Sequence, residues 1–179
     1  MLYMQAKPKT IINIAADYGI VLGALYCITF FGGLYAVRLP WLSVACLLAA
    51  VGVPVAVWIM LKNTWNRSLR TMPFSAMWTE GIVASAFGGI LLALATFIYL
   101  KWVAPGIMLG ALEHQADLWD AAATEQSKAN ARALRIMIEN GAIPHPSEIA
   151  LQLVCLVVFS GSLLTMLLSL LIRVFYKKH

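Results

Sequence analysis

The sequence predicts an all-α membrane protein with four transmembrane helices and an extracytoplasmic two-helix hairpin between the third and the fourth. This prediction depends on the composition, on four long runs without charge, and on one alanine-rich segment without an interior proline. Of the 179 residues, 61% are hydrophobic and 12% are charged, whereas soluble domains have about 45–50% apolar residues. The composition therefore excludes an ordinary soluble enzyme.

Four runs without a charged side chain are each long enough to cross a bilayer. A hydrocarbon core about 30 Å thick needs about 20 helical residues, and it excludes unpaired backbone groups, so these runs must be helices. The uncharged runs are 18–37, 39–61, 81–100 and 149–172. The predicted spans that contain them cover residues 12–37, 41–62, 79–102 and 148–172. We expect one membrane domain, 1–179.

Lysine and arginine residues predict the orientation, because positively charged flanks stay in the cytoplasm. With both termini inside, the inner side carries the larger basic set, which is Lys7, Lys9, Lys62, Arg67, Arg70, Arg173, Lys177 and Lys178. The outer set is Arg38, Lys101, Lys128, Arg132 and Arg135. We expect a multi-pass protein of the bacterial inner membrane, with cytoplasmic termini and a basic inner face that contacts anionic lipid headgroups.

Aromatic and basic side chains alternate near the inner ends of the second and third spans, at Trp65, Arg67, Arg70 and Trp78. Proteins that bind single-stranded nucleic acid also interleave such side chains. A belt of tryptophan and basic residues is, however, the ordinary feature of a span end. We therefore expect no nucleic acid among the partners.

Small residues predict where the helices touch, because lipid gives apolar helices no hydrophobic reason to associate. The first span carries Gly19 and Gly23 at the spacing of a close-packing motif, and then the pair Gly32 and Gly33. The third span carries Gly81, Ser85, Gly88 and Gly89. The fourth span carries Ser160, Gly161, Ser162 and Thr165.

Pro54 lies near the middle of the second span. Because proline has no amide hydrogen, the carbonyl group of Ala50 loses its helical partner. We expect the helix to bend there, with a hydroxyl side chain or a neighbouring helix taking up the free carbonyl.

Asp17 and Glu80 are the two acids at the inner membrane boundary, and each stands just before a Gly-Ile-Val sequence. This similarity suggests a duplicated helical hairpin. Ionisable residues at this depth are candidates for a shared proton or cation role. The alternative is a structural role, since helix dipoles favour negative charge near helix N-termini.

The outer segment 106–141 is predicted to form two antiparallel helices, because a single helix would leave too short a return to the fourth span. Its first half has an acidic stripe and its second half a basic stripe with matching intervals. The predicted ion pairs are Glu113 with Arg135, Asp117 with Arg132, and Asp120 with Lys128. Gly141 is expected to end the second helix.

Glu113, His114 and Asp117 lie within one helical turn, a spacing that allows them to bind a divalent cation. A solvated helix face gives the same pattern, and no HExxH motif accompanies it. The serines of the fourth span have no histidine at a matching depth. We therefore predict no metal, no cofactor and no catalytic residue.

A set of loosely spaced features suggests a known family. These features are Tyr18-Gly19-x-x-x-Gly23, Pro73-Phe74 leading to Gly81, Pro105 after the third span, and the helical insert before the fourth. In this order they resemble an uncharacterised family of four-span bacterial membrane proteins, a domain of unknown function found mainly in Bacteroidota. The resemblance implies a membrane fold over nearly the whole chain, and it implies no activity.

Three functions are considered. The leading hypothesis is a non-enzymatic structural or accessory subunit that packs with itself or with another inner-membrane protein. The alternative is a subunit of a small oligomeric transporter or channel that uses Asp17 and Glu80. The third is a lipid-modifying membrane enzyme, which needs several polar groups at one membrane depth.

Overall fold

In the computed structural model, the described residues are 11–36, 39, 41–68, 72–122 and 124–176, and no β-strand occurs among them. The helices are α1 (Ile11–Ala36), α2 (Trp41–Arg67), α3 (Phe74–Ile98), α4 (Ile107–Ala121), α5 (Glu125–Glu139) and α6 (Pro146–Tyr176). A π-helical segment, Tyr99–Val103, continues α3. Four helices are long and apolar enough to cross a membrane, and two shorter helices lie between the third and fourth. The predicted fold class is confirmed.

The membrane-spanning helices extend beyond the predicted spans. Helix α3 begins at Phe74 rather than residue 79, and α2 continues to Arg67 rather than ending at residue 62. Hydropathy marks the part of a helix that lipid covers, whereas backbone hydrogen bonding continues into the interface. Helix α2 also runs through Pro54 without interruption. Several basic residues of the orientation argument lie outside the described residues, namely Lys7, Lys9, Arg38, Arg70, Lys177 and Lys178.

The chain divides into two compact units. The first is Met1–Leu92 with Leu153–His179, and the second is Ala93–Gln152. The core of the first unit joins side chains from α1, α2, α3 and α6, which are Ala15, Leu22, Val57, Met60, Leu61, Trp65, Met77, Ala84 and Ile172, together with Met72 before α3. Large apolar side chains such as Leu48 and Phe159, each 68% exposed, cover the outside of this unit. An apolar exterior of this kind suits lipid as the surrounding solvent.

The second unit contains the helical hairpin of α4 and α5. Thr124 caps α5 by accepting a hydrogen bond from the amide of Ser127, at 3.3 Å. Gly141 follows α5 with a positive φ of 65°. The amides of Gly141 and Ala142 donate back to the carbonyl groups of Ile138 and Met137, a pattern that closes the helix and favours glycine. The predicted stop at Gly141 matches this geometry.

The predicted ion pairs of the hairpin are wrong in register. Arg135 pairs with Asp117 at 3.1 Å and with Asp120 at 2.9 Å, instead of with Glu113. Lys128 pairs within its own helix with Glu125 at 3.6 Å.

Arg132 is exposed and makes no ion pair within the described part of the chain. The prediction matched residues by sequence position alone. Nη2 of the Arg135 guanidinium instead contacts two acids that lie one turn apart on α4. Such exposed pairs each stabilise a protein by only about 0–1 kcal/mol, so they contribute little to the hairpin.

Candidate functional site

Helix α3 packs directly against α1 in the first unit. A methyl group added to Gly19 would lie 2.5 Å from Cβ of Phe87 and 3.0 Å from the carbonyl oxygen of Ala84. A methyl group on Gly23 would lie 3.3 Å from the carbonyl oxygen of Gly88. Since a four-residue step along α1 matches a four-residue step in the same direction along α3, the two helices run parallel. The glycines permit this close backbone approach.

Helix α3 also contacts α6 in the first unit. Gly81 lies against the side chain of Thr165, whose Cβ would be 2.6 Å from an added methyl group. One turn later along α3, Cβ of Ser85 lies 2.6 Å from the position of a methyl group added to Gly161. After a further turn, Gly89 lies against Val157 of α6. A step forward along α3 corresponds here to a step backward along α6. These helices are therefore antiparallel neighbours whose contact consists of small residues.

Side-chain hydrogen bonds add further links between the helices of this unit. The Trp78 indole donates from Nε1 to Ser162, with 3.2 Å to its Oγ and 3.3 Å to its carbonyl oxygen. The Asn63 amide donates from Nδ2 to the Tyr18 hydroxyl at 2.9 Å. These bonds join α3 to α6 and α2 to α1.

Glu80 is the candidate functional residue of this bundle. Its side chain is 0% exposed. Met77 and Ala84, one turn away on either side along α3, are also fully buried. Oε1 of Glu80 accepts a hydrogen bond from the Thr64 hydroxyl on α2 at 2.7 Å, whereas Oε2 has no hydrogen-bond partner among the described residues. A buried, half-satisfied carboxyl group is costly in a membrane protein, and such groups are associated with function.

Asp17 differs from Glu80 in its surroundings. Its side chain is exposed on α1. The prediction grouped the two acids because both lie at the inner membrane boundary, and each also precedes a Gly-Ile-Val sequence. Asp17 stands two positions before Gly19, however, while Glu80 stands directly before Gly81. One position along a helix rotates a side chain by about 100° around the helix axis. Because Gly19 and Gly81 are both buried, the different offsets place the two acids on different faces of their helices.

The remaining predicted packing glycines of α1 fall into two environments. A methyl group on Gly32 would lie 2.5 Å from Sγ of Cys46 on α2, so Gly32 lies at a helix contact. Gly33 is exposed, and a methyl group there would have nothing within 4 Å among the described residues. For Gly33 the prediction of helix packing within this chain is therefore wrong. Gly52, which the sequence analysis did not single out, packs on Leu25 of α1.

A second group of polar residues lies on the hairpin, in the second unit. Glu113, Asp117 and Glu139 line a cleft of about 280 Å³ together with Arg135, Ala116 and Ile138. No cluster of three or more His, Cys, Asp and Glu side chains suited to a metal ion occurs in the described ranges. Glu113, His114 and Asp117 are all exposed. The residues that sequence analysis considered for a divalent cation thus form an open helix face.

Thr64 is the functional neighbour that the sequence analysis missed. It lies in the last turns of α2, beyond the predicted end of the second span, and its side chain is 5% exposed. The available signal was a hydroxyl residue one helical turn after the apolar residues Met60 and Leu61. Sequence alone does not pair this hydroxyl with a carboxyl group on another helix.

Comparison with known proteins places the chain in a family. A family model described as a protein of unknown function (DUF4199) matches residues 17–174. The chain belongs to this family. The matched region of the DUF4199 family covers two of the four apolar helices completely and most of the first and the last, so the predicted resemblance to a family of unknown function is confirmed. No curated protein and no solved structure matched the chain.

Proposed function

We propose that this DUF4199 family member is a non-enzymatic accessory subunit of the bacterial inner membrane, with both termini in the cytoplasm. The observation that supports this role is the close packing of α3 against α1 at Gly19 and against α6 at Gly81. Contacts of this kind leave little freedom for helices to slide past one another. A tightly packed bundle is better suited to holding a partner in place than to opening and closing around a substrate.

Charge supports the proposed orientation. At the described span ends, Lys62 and Arg67 lie near the C-terminal end of α2 and Arg173 lies near that of α6, whereas Lys101 is the basic residue at the end of the π-helical continuation of α3. In a four-span bundle the C-terminal ends of α2 and α6 share one side of the membrane. Basic residues at span ends favour the cytoplasmic side and attract anionic lipid headgroups. We propose anionic lipids as partners of this face.

For this accessory role we also propose a protein partner in the membrane. The expected result of native mass spectrometry, on protein released from its own membrane in mild detergent, is a mass above that of one chain. A second inner-membrane protein in that complex would support the accessory role. A homo-oligomer would also support it and would identify the partner as another copy of this chain. Recovery of a single chain carrying only lipid would contradict the accessory role.

The alternative role, as a transporter or channel subunit, draws its support from the buried carboxyl group of Glu80. Asp17 supports this alternative less, because its side chain is exposed on another helix. Purified protein in liposomes with an imposed proton or cation gradient distinguishes the roles. The accessory role predicts no flux above that of empty liposomes. Flux that the Glu80→Gln variant loses would instead favour transport.

A further inference from the structure

Among the described residues of the first unit, the Glu80 carboxyl is a fully buried acidic group. It lies within the apolar cluster, since Met77 and Ala84 on its own helix and Trp65 beside Thr64 belong to that cluster. It is held between α3 and α2 by one hydrogen bond, from the Thr64 hydroxyl to Oε1. This geometry accounts for one oxygen of the group and leaves Oε2 buried without a partner among the described residues.

Among the described residues, the charged and titratable groups at this end of the bundle do not neutralise Glu80 by direct contact. Those on described residues of the surrounding helices are Asp17 and Tyr18 on α1, Lys62 and Arg67 on α2, and Arg173 and Tyr176 on α6. Arg67 is the one whose positive charge acts on Glu80, but its side chain is exposed, and no ion pair joins the two among the described residues. Lys62 lies over the Tyr176 ring, with Nζ 5.8 Å from the ring centroid.

We infer that Glu80 is a proton-binding site inside the helix bundle. An isolated carboxylate in an apolar surrounding is very costly, while the neutral acid costs far less. The proton binds to Oε2 through one of its lone pairs. It comes from a hydronium ion, which becomes water, and the side chain changes from a charge of −1 to neutral. Oε1 is then the carbonyl oxygen of the acid, and it keeps the hydrogen bond that Thr64 donates.

This inference does not depend on the accessory role, and infrared spectroscopy of the protein in lipid bilayers tests it. The expected spectrum at neutral pH contains the carbonyl stretch of an un-ionised carboxylic acid. The Glu80→Gln variant is expected to lose that band. Asp17→Asn is the matched control, because it removes the other inner acid from an exposed position, and it is expected to keep the band.

The Thr64→Val variant provides a more specific signature. Removal of the hydroxyl that donates to Oε1 strengthens the C=O bond, so the band is expected to move to higher wavenumber and to persist. A merely structural effect of the substitution would not shift this band. Arg67→Gln is expected to leave the band in place, because the inferred neutral acid needs no counter-ion.

Measurements on the unmodified protein keep the inference testable if Glu80→Gln does not fold. Dicyclohexylcarbodiimide, which reacts with un-ionised carboxyl groups in apolar surroundings, is expected to label Glu80 and not Asp17, as located by peptide mass spectrometry. An infrared spectrum of folded protein without the acid band at neutral pH would overturn the inference. A band that disappears when sodium replaces a bulky organic cation would also overturn it, because the site would then bind a metal cation.

Discussion

Replacing Gly81 with alanine is expected to destabilise the protein by about 1–3 kcal/mol, the usual cost of overpacking a well-packed interior. The added methyl group would meet the Thr165 side chain, whose Cβ lies 2.6 Å from the new atom. Helix propensity works in the opposite direction, since alanine is the better helix former. A loss of stability therefore reports the contact between α3 and α6. The measurement is the free energy of unfolding from an SDS titration followed by tryptophan fluorescence.

A double-mutant cycle with Thr165→Ala identifies the source of this loss. Thr165→Ala removes the Cγ2 and Oγ1 atoms that the new methyl group would meet and keeps Cβ, so it relieves part of the contact. The combined variant is expected to be more stable than the sum of the two single effects predicts, because residues in direct contact are coupled. Strict additivity would contradict the antiparallel contact that the structure places between Gly81 and Thr165.

Replacing Gly19 with alanine is expected to have an effect of similar size, about 1–3 kcal/mol, at the contact between α1 and α3. The new methyl group would lie 2.5 Å from Cβ of Phe87 and 3.0 Å from a backbone carbonyl oxygen. Neither atom is the end of a flexible side chain, so the two helices must move apart. The same SDS titration measures the change.

Gly33→Ala on the same helix is the matched control for Gly19. It adds the same group to an exposed position with open space around it. Its effect is expected to be a stabilisation of about 0–1 kcal/mol, because alanine is the better helix former and the new methyl group meets no neighbour among the described residues. Equal losses at Gly19 and Gly33 would show that the helix backbone, and not the contact with α3, determines the result.

The architecture was predictable because the solvent imposes it. Long apolar runs must be helical in lipid, and the return path limited the alanine-rich segment to a two-helix hairpin. The glycine spacing in the first span also predicted a helix contact there, and Gly19 and Gly23 lie against α3. These predictions needed only the period of the helix and the thickness of the bilayer.

The arrangement of side chains was less predictable, because it depends on rotation about the helix axis and on the neighbouring helix. Asp17 and Glu80 resemble each other in sequence and still differ in burial, because one position of offset changes the face. The hydrogen bond between Glu80 and Thr64 joins two helices. Residue spacing within one helix therefore cannot predict it. The reach of Arg135 to two acids likewise depends on side-chain geometry that position alone does not give.

The central claim is that the chain crosses the membrane four times and keeps both ends in the cytoplasm. Paired reporter fusions test it most directly, with a reporter that works only in the cytoplasm at each terminus and one that works only outside at Thr124, before α5. The expected result is activity of all three fusions in these positions. Termini in opposite compartments would contradict this topology. It would also be contradicted if, at Thr124, the outer reporter is inactive and the cytoplasmic reporter is active.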